Sequence, residues 1–252
     1  MTPEKWSLEW RAQKLKELYD QWKDCERCSL SKSRDNVVFG EGNPDADIVW
    51  VSEAPGDNEN KTGRPFVGNA GELLDSFLEH TGFDRGELFI TNIVGCRPPN
   101  NRDPVREERD ACISRVHEIL YVIDPYIIVA CGKVALETLA RGRWSIKEMH
   151  GQLFSSPYPE AKMQGEMNGA EIPGRFFPRK GGKNLAYSLD YDLVPIFHPS
   201  FVSRFDSYDE KKGTFQPGGL AHRTLDDLRA LKDRVEKIKS EYRQTQRLFE
   251  RS

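Results

Sequence analysis

No apolar run in this sequence of 252 residues approaches the roughly 18 residues that a helix needs to cross a bilayer. The longest such stretches, Tyr126 to Cys131 and Leu193 to Phe197, have the length of buried strands, so a soluble protein with no membrane partner is expected. A basic excess is also lacking. Against 37 Lys and Arg stand 40 Asp and Glu, a net charge of −3, which excludes a broad phosphate-binding face and confines any nucleic-acid contact to a local patch. Met1 to Trp22 scatters Glu, Lys and Arg among its apolar positions and so lacks a secretory apolar core; the chain is expected to stay in the cytoplasm. In a reducing compartment its five cysteines are expected to bind metal or stay free, and the odd number leaves one over. There is no internal repeat and no low-complexity tract.

What the sequence does hold is enough apolar material for a core: 37% hydrophobic residues, with five Trp and thirteen Phe. Trp10, Leu15, Leu18, Tyr19 and Trp22 recur at helical spacing and predict an amphipathic helix leading to Cys25. Strands are predicted at Ala46 to Ser52, Leu88 to Val94, Tyr126 to Ala130 and Leu193 to Phe197. Between them fall a helix capped by Asn69 and closing near Gly82, a helix opened by Pro104 and stopped by Asp124-Pro125, and a short helix after Gly132. Alternation of this kind predicts an α/β fold of three layers, α/β/α, around a central four-stranded parallel sheet. Ligands of such sheets sit at the carboxyl ends of the strands, where Glu53, Asn92 and His198 lie. We expect one domain over residues 1–252, with long surface loops near 155–190 and 205–220 and a final helix over 224–248.

Cys25 and Cys28 form a CxxC pair after the first helix, while Cys96 and Cys112 stand apart from each other. On spacing alone the four fit an iron-sulfur cluster, a zinc site, or thiols with no common ligand; a zinc site more often uses two close pairs. A thioredoxin-like role fits poorly, since that CxxC follows a strand and opens a helix. Cys131 ends an apolar strand and reads as a core thiol.

Beside these cysteines stand the segments Glu41-Gly-Asn-Pro-Asp-Ala-Asp-Ile, Ser52-Glu-Ala-Pro-Gly, Thr62-Gly-Arg-Pro-Phe-Val-Gly-Asn-Ala-Gly, Thr91-Asn-Ile-Val-Gly-Cys-Arg-Pro-Pro-Asn-Asn-Arg and His198-Pro-Ser. In order and spacing, from about Cys25 to Arg204, they resemble the family-four, iron-sulfur uracil-DNA glycosylases. The resemblance implies a [4Fe-4S] cluster on Cys25, Cys28, Cys96 and Cys112, excision of uracil from DNA, and a loop at Glu53 that holds the attacking water. Another family of uracil glycosylases carries an Asp one place later, where this chain has Ala54, so the identity of the general base stays open. Ser52 replaces the family's usual Gly.

Each residue also has a reading of its own. Glu53, in a Pro-Gly turn, faces a cleft or bonds nearby amides. Phe66, in a Gly- and Pro-rich loop, is either a stacking face for a flipped pyrimidine or a ring closing the core. The Asn92 amide offers one donor and one acceptor, which suits uracil N3 and O4, or it caps a turn. By resemblance, Glu59 narrows the pocket near the base C5, His198 points to uracil O2, and Ser200 and Arg204 enter the DNA and grip phosphate. Arg64, Arg97, Arg102 and Lys133 extend that basic surface or are simply solvated. A monomer acting on uracil-containing DNA near the nucleoid is expected, with U opposite G favoured over U opposite A if flipping limits the rate. Alternatives are the same enzyme class on another damaged or modified base, or an iron-sulfur protein that binds DNA without cutting. A branch of the superfamily that bonds covalently to its product through an inserted His fits least, since no such motif precedes His150.

Overall fold

A computed structural model describes residues 7–156 and 191–249, apart from 207, 210–213 and 216. The first helix, α1 (Leu8–Trp22), starts where the Ser7 hydroxyl accepts the Trp10 N–H, and it buries Leu15, Leu18 and Trp22 on one face. Then follow β1 (Glu41–Gly42), β2 (Ile48–Ser52), α2 (Asp57–Thr62), α3 (Asn69–Thr81) and β3 (Phe89–Asn92). The next group is α4 (Arg106–Ile123), β4 (Ile127–Cys131), α5 (Lys133–Leu139), α6 (Ile146–Met149) and β5 (Phe154–Ser156). The chain continues through β6 (Tyr191–Ile196), α7 (Pro199–Val202), the hairpin β7 (Tyr208–Asp209) and β8 (Thr214–Phe215), and α8 (Leu220–Phe249).

The six-stranded sheet has the order β1-β3-β2-β4-β6-β5. Its four inner strands run parallel, with Ser52 level with Asn92 and Ala130 level with Pro195. The four-stranded parallel sheet expected from sequence is therefore corrected to a mixed sheet, because β1 and β5 add an antiparallel strand at each edge. Strands β2 and β4 are buried on both faces, as sheets flanked by helices require. Side-chain alternation sorts β2 into two cores. Val49 and Val51 pack with α1 and α4, whereas Ile48 and Trp50 pack with α3 and α8.

Local chemistry sets several boundaries. Asn69 is not a cap: Gly68 takes that position and Asn69 is the first helical residue. Glu108 reaches back to the Val105 N–H at 2.9 Å and so opens α4 after Pro104 rather than at it. At its other end Asp124 adopts a left-handed conformation, and the buried Arg11 donates to the carbonyls of Val122 and Ile123. The final helix begins four residues before the expected start at 224, at Leu220, and the expected 205–220 loop contains the β7–β8 hairpin. Most of the loop expected at 155–190 lies outside the described residues. Among the described residues no helix is long and apolar enough to cross a membrane.

Candidate active site and cysteine centre

Three parallel strands end at one place. Glu53 follows β2 and Glu59 lies in the first turn of α2, β3 ends in Asn92, and His198 follows β6. Together with Phe66, Ser200 and Arg204 they line a single cavity of about 570 Å³. The structure thus brings together all seven non-cysteine residues singled out from sequence. Asn92 is 2% exposed, and no hydrogen bond among the described residues engages its amide, so both ends of the amide are left for a ligand.

Glu53 has its carboxyl pushed up to about 7, chiefly by burial and then by the Asp103 charge, with Arg109 opposing. A carboxylate in this state exchanges a proton near neutral pH. His198 moves the other way, down to about 4, because burial and the Arg204 charge disfavour the imidazolium more than Glu59 favours it. Its ring is therefore neutral at physiological pH. Nδ1 accepts the Ser200 N–H at 3.1 Å and faces the Ser200 hydroxyl at 2.7 Å, which leaves the proton on Nε2. Gly132, at φ +90°, permits this arrangement, since a Cβ there would lie 3.1 Å from the His198 Cβ.

Phe66 meets both of its sequence readings. It packs into the core beside Leu74 and Phe77, and it also lines the cavity, its ring stacked 5.9 Å from that of His198 at 27°. Its backbone is left-handed at φ 52°, a conformation held by neighbours. Arg85 donates to the Pro65 carbonyl at 2.9 Å, and Gly71 lets the loop settle on α3, where a Cβ would stand 2.0 Å from the Phe66 carbonyl oxygen. Glu59 fixes the same loop. Its carboxylate accepts the N–H groups of Gly56, Val67 and Gly68 at 3.1, 2.8 and 2.8 Å.

The basic candidates divide. Arg102 and Lys133 line the cavity, whereas Arg64 is held by Glu41 at 2.8 and 3.0 Å and Arg97 by Asp57 at 2.5 Å. Arg102 also bonds Glu108, through both carboxylate oxygens. Sequence reasoning passed over Lys147 and Phe201, which line the cavity, and Asp103, which acts on Glu53. Ser52, 1% exposed, lies in the cavity floor.

A matching sequence model settles the kinship: that of the uracil DNA glycosylase superfamily covers residues 39–216. The chain belongs to this superfamily. Among relatives, the type-4 uracil-DNA glycosylase of Thermotoga maritima is 38% identical over 72% of this chain and 79% of its own length. That of Pyrobaculum aerophilum is 38% identical over 84% and 97% respectively, and that of Sulfurisphaera tokodaii 40% over 59% and 76%. Within the superfamily the chain groups with these type-4 enzymes.

A second, much smaller cavity of about 20 Å³ lies where α1, the loop after β3 and α4 meet, and Cys25, Cys28, Cys96 and Cys112 all line it. The thiols sense one another: burial first, then Cys112 and Cys28, push Cys96 up to about 11. Cys28 is also raised, by burial first and then by Cys112, Cys25 and Glu108, with a bond to the Leu30 backbone opposing. Arg34 donates to the Cys25 carbonyl at 2.5 Å and to the Cys96 sulfur at 3.7 Å, and the Gly95 N–H donates to the Cys112 sulfur at 3.4 Å. Among the described residues no three of His, Cys, Asp and Glu stand close enough to share one metal ion. A single zinc would draw all four sulfurs to about 2.3 Å from one centre, whereas a cluster places a separate iron on each thiolate and fits a wider ring. Cys131 is buried in the core on the other face of the sheet, as the sequence reading expected.

Proposed function

We propose that this protein is a uracil-DNA glycosylase that flips deoxyuridine out of DNA and hydrolyses its N-glycosidic bond. The observation that carries the reading is the pairing of a free Asn92 amide with a neutral His198 whose proton is fixed on Nε2, both in one cavity. The Asn92 side chain accepts from uracil N3–H and donates to O4; cytosine presents the wrong pattern to the same amide orientation. Phe66 supplies a stacking face, and Glu59, by holding that loop, sets the wall near C5.

As the bond from C1′ to N1 lengthens, its electron pair moves into the base and charge gathers on O2. The His198 Nε2–H donates there, a placement that lowers the barrier by about 3 kcal/mol. The sugar becomes oxocarbenium-like, water adds at C1′, and Glu53 as carboxylate takes the water proton. The base leaves as its anion and takes up a proton from solvent while Glu53 returns the water proton to solvent, so the products are free uracil and an abasic site. Ser200, Arg204, Arg102, Lys133 and Lys147 at the cavity mouth suit contact with phosphates.

The four cysteines would hold a [4Fe-4S] cluster, which would tie α1 to the loop after β3 and to α4 and would supply no reacting atom. We further read the chain as one domain, a cytoplasmic monomer working where DNA is. The test is incubation of anaerobically purified protein with a labelled duplex holding one U opposite G, followed by alkali and a gel. A cut at uracil that disappears in His198→Ala supports the proposal; an uncut duplex with the cluster intact overturns it.

A further inference from the structure

Arg115 is 0% exposed, a charged side chain removed entirely from solvent. It lies on α4 one helical turn after Cys112 and so shares its face. Its Nη1 donates to the Phe39 carbonyl and, at 3.0 Å, to the Thr91 hydroxyl; its Nη2 donates to the Asn92 carbonyl and, at 3.5 Å, to that of Ile93. Every one of these partners is neutral. Among the described residues Nε has no hydrogen-bond partner, and the side chain lines the cysteine cavity, where the absence of a side chain at Gly95 keeps the space beside Nε open. A cation buried among neutral acceptors is costly unless a counter-charge lies near. Four thiolates around an iron-sulfur core bring more negative charge than the core cancels, and the four cysteines line the same cavity as the guanidinium.

We infer that Arg115 is a positioning residue that couples the cysteine centre to base reading: the cluster neutralises its charge, and its forked N–H groups hold the backbone of Asn92. This rests on the reading of the four cysteines as a cluster site. Arg34 and Arg27, the other arginines at this cavity, differ in kind. Arg34 is bonded to Cys25 and Cys96, and Arg27 is exposed and lies 4.2 Å over the Trp22 ring. Among the described residues neither bonds to the end of β3.

The test uses the full chain, purified anaerobically, as wild type, Arg115→Gln and Arg115→Lys. Iron release to bathophenanthroline is followed by absorbance. Binding is read by anisotropy with a duplex carrying one uncleavable 2′-fluorodeoxyuridine opposite G, against the same duplex with cytosine. Removing the charge in Arg115→Gln is expected to speed iron release about tenfold and to reduce the preference for the uracil analogue by about tenfold. Arg115→Lys keeps the charge and loses the fork, so it should hold iron within about threefold of wild type yet still lose base preference, with KM raised and kcat little changed.

Wild-type base preference in both variants, whatever the iron does, overturns the coupling. So does wild-type iron release in Arg115→Gln. If that variant does not fold, Arg115→Lys decides the matter by its base preference. A wild type without iron removes the premise and the inference with it. A wild type that holds iron but cuts no uracil fails the proposed function alone, and iron release from Arg115→Gln then decides the inference.

Discussion

The two cavities differ in how they treat polar groups. The larger, about 570 Å³, is open, and its chief groups are left wanting: the Asn92 amide has no partner among the described residues, and Glu53 is held near a protonation midpoint by burial. The cysteine cavity, about 20 Å³, is far smaller, and several groups around it are already tied, Arg34 to Cys25 and Cys96, Gly95 to Cys112, while Arg115 Nε is left without a partner among the described residues. A roomy cavity with unmet bonding capacity suits a ligand that comes and goes; one too small for a base and walled by four cysteines suits a group that stays. A single stretch of chain feeds both, since β3 ends at Asn92 and the loop beyond it carries Cys96.

The contrast breaks if damage to the cysteine centre is felt in the chemical step, or damage to the reacting groups in stability. The largest effect is expected from His198→Ala: a fall in kcat of about two to three orders of magnitude, roughly 3 kcal/mol, in single-turnover cleavage, with the thermal midpoint nearly unchanged. Cys96→Ser should do the opposite, losing iron and lowering Tm by about 10 °C in a calorimetric scan, with the loss of activity appearing mainly in KM. If it abolished kcat with Tm intact, the cysteine centre would belong to the chemistry.

Glu53→Gln sharpens the comparison through pH. Wild-type kcat/KM should rise with pH through about 7, as the carboxylate form appears, and this limb should vanish in the variant, with a loss of about tenfold to a hundredfold at pH 8. Stability should run the other way. Because folding raises this carboxyl above its unfolded value, the stability it contributes is present below the unfolded pKa and is lost as pH rises through about 7. Glu53→Gln should therefore have a higher Tm than wild type at pH 8 and a similar one at pH 5. The smallest effect is expected from Arg64→Ala, whose exposed pair with Glu41 touches neither cavity: about 0.5 kcal/mol or less in urea unfolding, and unchanged cleavage.

Much of this was written in local sequence. The strand ends bearing Glu53, Asn92 and His198 were legible because each apolar run stops at a polar residue or a Pro-Gly turn. The cysteine centre was legible in membership but not in kind, since spacing cannot say how wide a ring four sulfurs make. The edge strands escaped because β1 and β5 have two and three residues, too few for a period to show. Arg115 escaped for a different reason. Arg106, Arg109 and Arg115 look alike along α4, and only the lie of the β3 carbonyls beneath the helix separates the buried arginine from the others. Glu59 could be placed near the pocket, but its three backbone partners come from loops whose fold the sequence does not announce.

The brevity of β1 bears on how such chains behave in a crowded solution. The strand lies at one margin of the sheet, and glycines at φ +129° and +135°, Gly40 and Gly42, bend the chain on either side of Glu41. A stranger approaching this margin finds a ladder of two residues before the backbone turns away, too short to template a growing stack. The four inner strands, apolar on both faces and suited to sticking, are thereby kept from a neighbour's reach on this side, and the same bend that ends the sheet acts as a guard against aggregation.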